Sequence, residues 1–227
     1  MMRMMMKGAL LMAVGAAFVA PSTVSAQAEV TANAGWVSQY YYRGIMQQPT
    51  SASAGLDVAI ESFGVGAWAA DVGDGAEVDL YAGIGLDVTE DVSLSLGGTG
   101  YFYTGQFDNT YLEANVGVGV GPISIEYSFG SYRTDPDAVD YSFIGVTAEQ
   151  DGLFATVGAF GTDLVLKDVA DAGQYLEAGY AFSAADLDFV ISGIWNDSLL
   201  SGEVDDVGDP THELTLVFGV SKTFALN

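Results

Sequence analysis

Apolar and polar residues alternate at every second position through most of this sequence, and this pattern constrains the fold more than any other feature. In Ala76–Val88 one set of alternate residues is Ala, Val, Leu, Ala, Ile, Leu and Val, and the set between them is Glu, Asp, Tyr, Gly, Gly and Asp. Ala52–Glu61, Val30–Arg43 and Leu214–Phe224 follow the same rule. A strand places alternate side chains on opposite faces, whereas a helix would scatter them around its axis. The sequence therefore predicts an all-β protein.

Twelve segments show this strand pattern. They are 29–43, 52–61, 63–71, 76–88, 92–103, 109–121, 122–132, 139–149, 152–163, 173–182, 186–196 and 212–224. Single-chain bacterial outer-membrane barrels have an even number of strands. The count of segments agrees with that class.

The connections between these segments alternate between short and long. The short ones are Ser62, 89–91, 121–122, 150–151 and 183–185. The long ones are 44–51, 72–75, 104–108, 133–138, 164–172 and 197–211. Short periplasmic turns and longer extracellular loops are typical of transmembrane barrels. The alternation predicts an up-and-down barrel with both ends of the chain on the periplasmic side.

The apolar face distinguishes a membrane barrel from a soluble protein. Charged residues make up only 16% of the chain and mean hydropathy is +0.30, although the net charge is -24. Aromatic residues near segment ends could form two girdles at the membrane interfaces. They are Trp36, Tyr40, Tyr42, Phe63, Phe102, Phe129, Phe182, Phe189, Trp195, Phe218 and Phe224. We predict a single antiparallel transmembrane β-barrel, with a soluble exported β-sandwich or adhesin as the alternative.

The first 26 residues have the organisation of a cleaved signal peptide. Arg3 and Lys7 precede the apolar run Gly8–Ala20, which is too short to span a bilayer. Small residues then offer cleavage after Ala26, or alternatively after Ala28. We predict that residues 1–26 are removed and that residues 27–227 form the barrel in the outer membrane of a Gram-negative cell.

Charge and residue usage limit the partners and the chemistry. Lys and Arg total 6 against 30 Asp and Glu, so the chain would repel nucleic acid. It has 0 Cys, which excludes disulfides and Cys-ligated metals. The expected partners are outer-membrane lipid and lipopolysaccharide, the barrel-assembly machinery during biogenesis, and small solutes or cations. No cofactor is expected.

Catalysis has little support in the sequence. His212 is the sole histidine, it follows Pro210-Thr211 in the last long loop, and the chain has no G-x-S-x-G motif. We therefore predict that the protein is not an enzyme. The loops Glu203–Asp209 and Asp71–Gly75 are acidic and contain glycine, yet neither matches a full EF-hand loop. Diffuse attraction of divalent cations is the favoured interpretation, and a specific calcium site stays open as the alternative.

One motif resembles a known family. Ser38-Gln39-Tyr40-Tyr41-Tyr42-Arg43-Gly44 is similar to the S-[DE]-Y-x-x-R-G signature of the TorF-type porin family of proteobacteria, with Gln39 in place of the acidic residue. The resemblance extends from about Val30 to about Gly119. Further blocks follow in the order of that family: Gly55–Asp57, Gly66–Ala69, Val78–Gly83 and Tyr111–Glu113. The resemblance implies an outer-membrane β-barrel and a porin, without naming a substrate.

Arg43 is the most informative single residue. Within the segment 29–43 it alternates onto the lumen face, where most ionisable residues are carboxylates. Because a closed barrel places the last strand beside the first, Glu213 is the predicted partner of Arg43, and Asp79 is the next candidate. A salt bridge that fixes strand register is the favoured role, and a part in a pore constriction is the alternative.

The function predicted from these features is passive diffusion of small hydrophilic solutes through a narrow, cation-preferring porin-like channel. Twelve strands should enclose a bore between those of eight-stranded and sixteen-stranded barrels. Lumen carboxylates attract cations, and salt weakens that attraction. The predicted pore-lining residues are Arg43, Asp57, Glu77, Asp79, Tyr81, Tyr101, Tyr103, Tyr111, Glu113, Glu126, Glu177 and Glu213. A non-conducting barrel with a structural or surface-interaction role is the alternative function.

Overall fold

A computed structural model describes residues 28–134, 136–168 and 171–226. The predicted signal peptide lies outside these residues. The strands are β1 Glu29–Val37, β2 Tyr40–Tyr42, β3 Ile45–Gln48, β4 Ser51–Ile60, β5 Phe63–Asp71, β6 Ala76–Asp87, β7 Val92–Tyr103, β8 Tyr111–Val120, β9 Ile123–Arg133, β10 Ala138–Gln150, β11 Leu153–Gly161, β12 Gln174–Ala184, β13 Leu187–Asn196 and β14 Glu213–Ala225. Within these ranges, no helix has the length and hydropathy needed to cross a membrane.

Twelve strands form one closed antiparallel barrel in the order β1-β14-β13-β12-β11-β10-β9-β8-β7-β6-β5-β4. The closing contact joins the first and the last described strands, with Thr31 of β1 opposite Ala225 of β14 and Val37 opposite Gly219. Closure pairs the backbone groups that an open sheet would leave at its edges, which is a requirement for crossing lipid. The predicted all-β up-and-down barrel of twelve strands is confirmed.

Tight turns join the barrel strands at one end. Asp151 and Gly152 both have positive φ, 54° and 83°, and so do Ala185 and Asp186, 53° and 60°. Two successive positive φ values define the type I′ turn, whose twist matches that of the strands it connects. These turns alternate with the connections at the other end of the barrel, which include the long loops 104–110 and 197–212.

The outer wall of the barrel is apolar. Large aliphatic residues project from it, and Leu80, Leu96 and Val157 are each more than half exposed. The inward positions instead carry glycine, serine, tyrosine and carboxylates. An exposed apolar surface of this extent is stable in contact with lipid rather than water. A soluble sandwich would need two sheets with their apolar faces packed together, so this alternative is wrong.

The first predicted strand is shorter than expected. The segment 29–43 was predicted to be one strand, but β1 ends at Val37, and β2 and β3 form a separate two-stranded hairpin between β1 and β4. Tyr42 pairs with Ile45 across the turn Arg43-Gly44, whose φ values of 48° and 81° fit a type I′ turn. Tyr40 and Tyr42 are therefore inside the barrel and do not belong to an aromatic girdle, because the chain leaves the wall before it reaches them.

Candidate functional site: a hairpin in the barrel lumen

The β2–β3 hairpin, which we call the lumen hairpin (residues 40–48), extends across the interior of the barrel. The hydroxyl of Tyr40 donates to Glu77 Oε1 of β6 at 2.6 Å. On the other side, the hydroxyl of Tyr41 donates to Glu213 Oε2 of β14 at 3.0 Å. The hairpin leaves the wall between β1 and β4, and β9 lies diametrically opposite in the strand order. Arg43 at its tip contacts Glu126 of β9, so the hairpin spans the full lumen.

Arg43, at the tip of the lumen hairpin, binds two carboxylates of the far wall. Its Nη1 lies 2.7 Å from Glu113 Oε1 of β8, and its Nη2 lies 2.6 Å from Glu126 Oε1 of β9. Nη2 also donates to Ser128 Oγ at 2.9 Å. The predicted partners of Arg43, Glu213 and Asp79, are wrong, because Arg43 belongs to the hairpin and reaches across the lumen to β8 and β9.

Aromatic rings enclose the guanidinium of Arg43. Its Cζ lies 4.8 Å from the ring centroid of Tyr42 and 4.2 Å from that of Phe143. Such contacts favour a cation that has lost its water. The side chain of Glu113 is 0% exposed, whereas that of Glu126 is 34% exposed. A buried ion pair gives up hydration on both sides, so its main effect is to fix the position of the hairpin.

Further hydrogen bonds satisfy the buried carboxylate of Glu113. The hydroxyl of Tyr141 donates to Oε1 at 2.7 Å, and Asn115 Nδ2 and the hydroxyl of Tyr101 donate to Oε2 at 3.0 and 3.2 Å. The hydroxyl oxygens of Tyr101 and Tyr42 are themselves 2.7 Å apart. The ion pair of Arg43 and Glu113 is therefore part of a network that joins the hairpin to β7, β8 and β10.

Close packing around Gly44 also fixes the position of the hairpin tip. A Cβ on Gly44 would lie 2.5 Å from Tyr175 Cβ, so only glycine fits there at this turn. The carbonyl oxygen of Gly44 accepts a hydrogen bond from Asn196 Nδ2 at 2.8 Å. At the base of the hairpin, Tyr40 packs with Ala70 and Val72 in a small buried cluster.

A group of tyrosines lies on the inner wall of β7–β9. The ring centroids of Tyr101 and Tyr111 are 6.5 Å apart, those of Tyr103 and Tyr111 are 6.3 Å apart, and those of Tyr111 and Tyr132 are 4.5 Å apart. Three of these four residues are in the predicted pore-lining set. They fill the lumen near the end that carries the longer loops, beside the hairpin.

The other predicted pore-lining residues are inward but scattered around the wall. Asp57 accepts a hydrogen bond of 2.5 Å from the hydroxyl of Tyr81. Glu177 borders a cavity of about 60 Å³ beside the hairpin, which Ser53 of β4 and Trp68 of β5 also line. Asp79 is fully buried, and neither carboxylate oxygen has a hydrogen-bond partner.

Sequence reasoning missed several residues of this site. Tyr141 and Phe143 belong to the segment 139–149, which alternates poorly and so gave no clear inward face. Ser128, Tyr175 and Asn196 do lie on inward positions, but no charge or motif marked them. Their roles depend on a hairpin that alternation alone could not place in the lumen.

The remaining candidate sites lie in the long loops. Asp205 Oδ1 accepts hydrogen bonds from the backbone N–H groups of Asp209 and Val207 at 3.0 and 2.9 Å, and these bonds lower the pKa of Asp205. In the part of the chain that the structure describes, no group of three or more His, Cys, Asp or Glu residues could hold a metal ion. His212 is exposed, with its ring centroid 5.4 Å from that of Trp195.

Comparison with protein families gives one match of nearly full length. The profile of a family described as "Bacterial protein of unknown function (Gcw_chp)" matches residues 21–224. The chain belongs to this family. The lumen hairpin and the barrel wall of this Gcw_chp protein both lie within the matched range. No curated protein matches the chain.

Solved structures that resemble this Gcw_chp protein are membrane proteins of low sequence identity. One comes from a study of in-meso crystallization of membrane proteins, with 11% identity, a TM-score of 0.54, and coverage of 87% of this chain and 84% of that chain. The NanC porin gives 11% identity, a TM-score of 0.49, and coverage of 85% and 98%. The outer membrane protein OprD from Pseudomonas aeruginosa gives 13% identity, a TM-score of 0.43, and coverage of 87% of this chain but only 66% of OprD. The structure with the TM-score of 0.54 supports the barrel fold.

Proposed function

We propose that this protein is a porin-like channel of the outer membrane, through which small hydrophilic solutes diffuse passively, with a narrow bore and a preference for cations. The observation that carries the proposal is the lumen hairpin, which spans a barrel of twelve strands and leaves carboxylates in excess on the wall around it. A barrel with a loop folded inward has its bore defined by that loop, so passage would be limited to solutes that fit beside the hairpin.

Electrostatics support the preference for cations. Arg43 is the one cation in the predicted pore-lining set, and it is shared between Glu113 and Glu126. The other inward carboxylates of that set have no cationic partner among the residues that the structure describes; they are Asp57, Glu77, Asp79, Glu177 and Glu213. Fixed negative charge in a narrow passage concentrates cations and repels anions.

The proposed location follows from the outer wall and from the N-terminal sequence. The exposed aliphatic belt fits the lipid phase, and residues 1–26 would direct export and then be removed. Lipopolysaccharide, membrane lipid and the barrel-assembly machinery would be its partners. The TorF-type porin resemblance of the segment 38–44 agrees with this proposal, and no catalytic role is proposed for any residue.

Conductance in a planar lipid bilayer tests the proposal directly. We expect stepwise currents from the refolded protein, and a reversal potential in a KCl gradient whose sign shows that K⁺ is more permeant than Cl⁻. The preference should decline as salt rises, because the Debye length falls from about 10 Å at 0.1 M to about 3 Å at 1 M. Preference for Cl⁻ at low salt would contradict the proposed selectivity.

The second candidate function is a barrel that does not conduct. It is favoured by the contacts of the hairpin with opposite walls of the barrel. A protein that is folded, as judged by heat-modifiable migration on a gel, yet gives no current under any voltage would establish this alternative. The long loops would then be the functional part of the molecule.

A further inference from the structure

The cavity of about 60 Å³ beside the lumen hairpin contains a single carboxylate. The inward faces of β1, β4, β5 and β11–β14 line this cavity, together with Gln39–Tyr41 at the base of the hairpin. Among the described residues that line it, Glu177 of β12 is the one acidic side chain, and none is Lys, Arg or His. Glu177 is half-buried, so its charge is only partly hydrated. The cavity is therefore an internal space with a negative group on its wall.

The groups around Glu177 do not neutralise its charge. Its cross-strand neighbours in the barrel are Thr156 of β11 and Ile194 of β13, and both are uncharged. The hydroxyl of Ser192 interacts with the carboxylate, but it is a neutral donor. Arg43 is bound to carboxylates of β8 and β9. Because partial removal of a charge from water is unfavourable, a cation from solution that reaches Glu177 would be stabilised there.

Most of the cavity wall is apolar or aromatic. The ring of Phe154 covers Gly179, two residues from Glu177, so closely that a Cβ on this glycine would lie 2.6 Å from the ring. Across the cavity, Trp68 packs edge-on against Tyr40, with the ring centroids 5.8 Å apart. Such walls fit hydrocarbon, and aromatic rings attract ammonium groups. A bare metal ion would instead need several oxygen ligands.

The volume of the cavity limits the size of a ligand. An apolar cavity of about 150 Å³ accommodates benzene, and the cavity beside the hairpin is less than half as large, about 60 Å³. A molecule of about two to four heavy atoms is therefore the size that fits.

We propose that this cavity binds a small primary amine, with its ammonium group on Glu177 and its alkyl group against the apolar wall. The proposal rests on the proposed channel function and names the class of solute that the channel would pass. A primary ammonium has three N–H donors, and Ser53 and Gln39 on the cavity wall offer oxygen acceptors besides the carboxylate. A hydrogen bond between an ammonium and a carboxylate is about twice as strong as one between neutral groups.

Thermal unfolding of the full barrel in detergent, followed by circular dichroism, tests the site. The probe is propylammonium chloride, compared with 1-propanol at equal concentration and with NaCl at equal ionic strength. A ligand at about ten times its Kd raises the folding equilibrium constant about elevenfold, so propylammonium should raise the transition temperature in a saturable way and by more than either control. Equal stabilisation by propylammonium and 1-propanol would overturn the proposal, because it would show that Glu177 carries no charge in the folded barrel.

The length of the alkyl chain tests whether the amine occupies the cavity. From methylammonium to propylammonium, the affinity should rise about fourfold for each added methylene. It should then change little up to hexylammonium, because the longer chain extends out of the cavity. An affinity that keeps rising to hexylammonium would overturn the assignment, since an amine that partitions onto the outer wall gains with every methylene.

Variants assign the effect to the cavity. Glu177→Gln keeps the shape of the side chain and should weaken propylammonium binding about tenfold or more. Ser53→Leu keeps the carboxylate but fills the cavity from β4, and it should also weaken binding. Glu149→Gln is the matched control, because Glu149 lies opposite Phe154 on the lumen face but does not line the cavity, and it should bind like the parent. Equal losses in Glu177→Gln and Glu149→Gln would contradict the assignment and indicate a diffuse effect of lumen charge.

Bilayer recordings separate this proposal from the channel function. Stabilisation by propylammonium that depends on Glu177, in a barrel without current, would support the site and contradict the channel. Cation-selective currents from a barrel that propylammonium does not stabilise would support the channel and contradict the site.

Discussion

Removal of the Arg43 side chain should release the lumen hairpin from the far wall. The variant Arg43→Met keeps an apolar stem at this position but leaves Glu113, whose side chain is 0% exposed, as a buried charge without its partner. Breaking a buried ion pair in this way costs about 3–5 kcal/mol. Glu126 is 34% exposed and adds at most about 1 kcal/mol. The docked state of the hairpin should therefore lose about two to four orders of magnitude in population relative to undocked states.

The assay is single-channel recording of Arg43→Met beside the parent protein. We expect larger or more frequent open events in the variant, because the hairpin would leave the lumen more often. Limited proteolysis should also cut the segment 40–48 faster in the variant. Arg133→Met is the matched control, because Arg133 is an exposed arginine at the end of β9, and this variant should behave like the parent.

A double variant separates the loss of the Arg43–Glu113 contact from the cost of leaving Glu113 charged without Arg43. Arg43→Met combined with Glu113→Gln removes both charges of the buried pair, so its folding stability should be closer to that of the parent than the stability of Arg43→Met alone. Unchanged conductance and unchanged proteolysis in Arg43→Met would refute the reasoning, since they would show that the ion pair does not hold the hairpin.

Three further changes have defined outcomes. Gly44→Ala should lower the free energy of unfolding in urea by about 1–3 kcal/mol through backbone strain, and the new Cβ would also lie only 2.5 Å from Tyr175 Cβ. Gly202→Ala is the control, because its φ is 69° but open space surrounds it, and it should lower the free energy of unfolding by only about 1 kcal/mol. Tyr40→Phe removes the donor to Glu77 Oε1 and should lower stability by about 1.5–3 kcal/mol, measured by the urea midpoint; an unchanged midpoint would show that this bond contributes nothing. Leu80→Arg on the lipid face should cost about 2–4 kcal/mol and reduce folding yield in vesicles, while Val207→Arg in an exposed loop should not.

The strands of the barrel wall could be predicted from the sequence, because each of them shows the alternation of apolar and polar residues by itself. A strand with lipid on one side and the lumen on the other must alternate, so segments such as 63–71 and 92–103 have the observed bounds. The short turns were also marked locally, by residues such as Asp151-Gly152 that accept positive φ. Neither signal depends on contacts with distant parts of the chain.

The lumen hairpin could not be predicted in this way. Tyr40–Tyr42 is itself a strand, so its alternation is real, but alternation does not reveal which sheet a strand joins. The chain leaves the wall after Ser38, whose backbone N–H still donates to Phe218 O of β14. The turn of the hairpin has an arginine at φ 48°, which is uncommon for a residue other than glycine. The partners of Arg43 on β8 and β9 follow from the hairpin crossing the lumen, which only the folded structure shows.

The position of the hairpin ahead of β4–β14 in the chain has a consequence for the order of assembly. Tyr41 is separated by 172 residues from its partner Glu213, and Arg43 by 83 residues from Glu126. Contacts between residues so far apart in sequence form slowly, because long loops must close before the contacts contribute. Glu213 arrives on β14, the strand that also closes the barrel against β1. The hairpin precedes most of the wall strands in the chain, yet its contact with Glu213 can form only once β14 is in place.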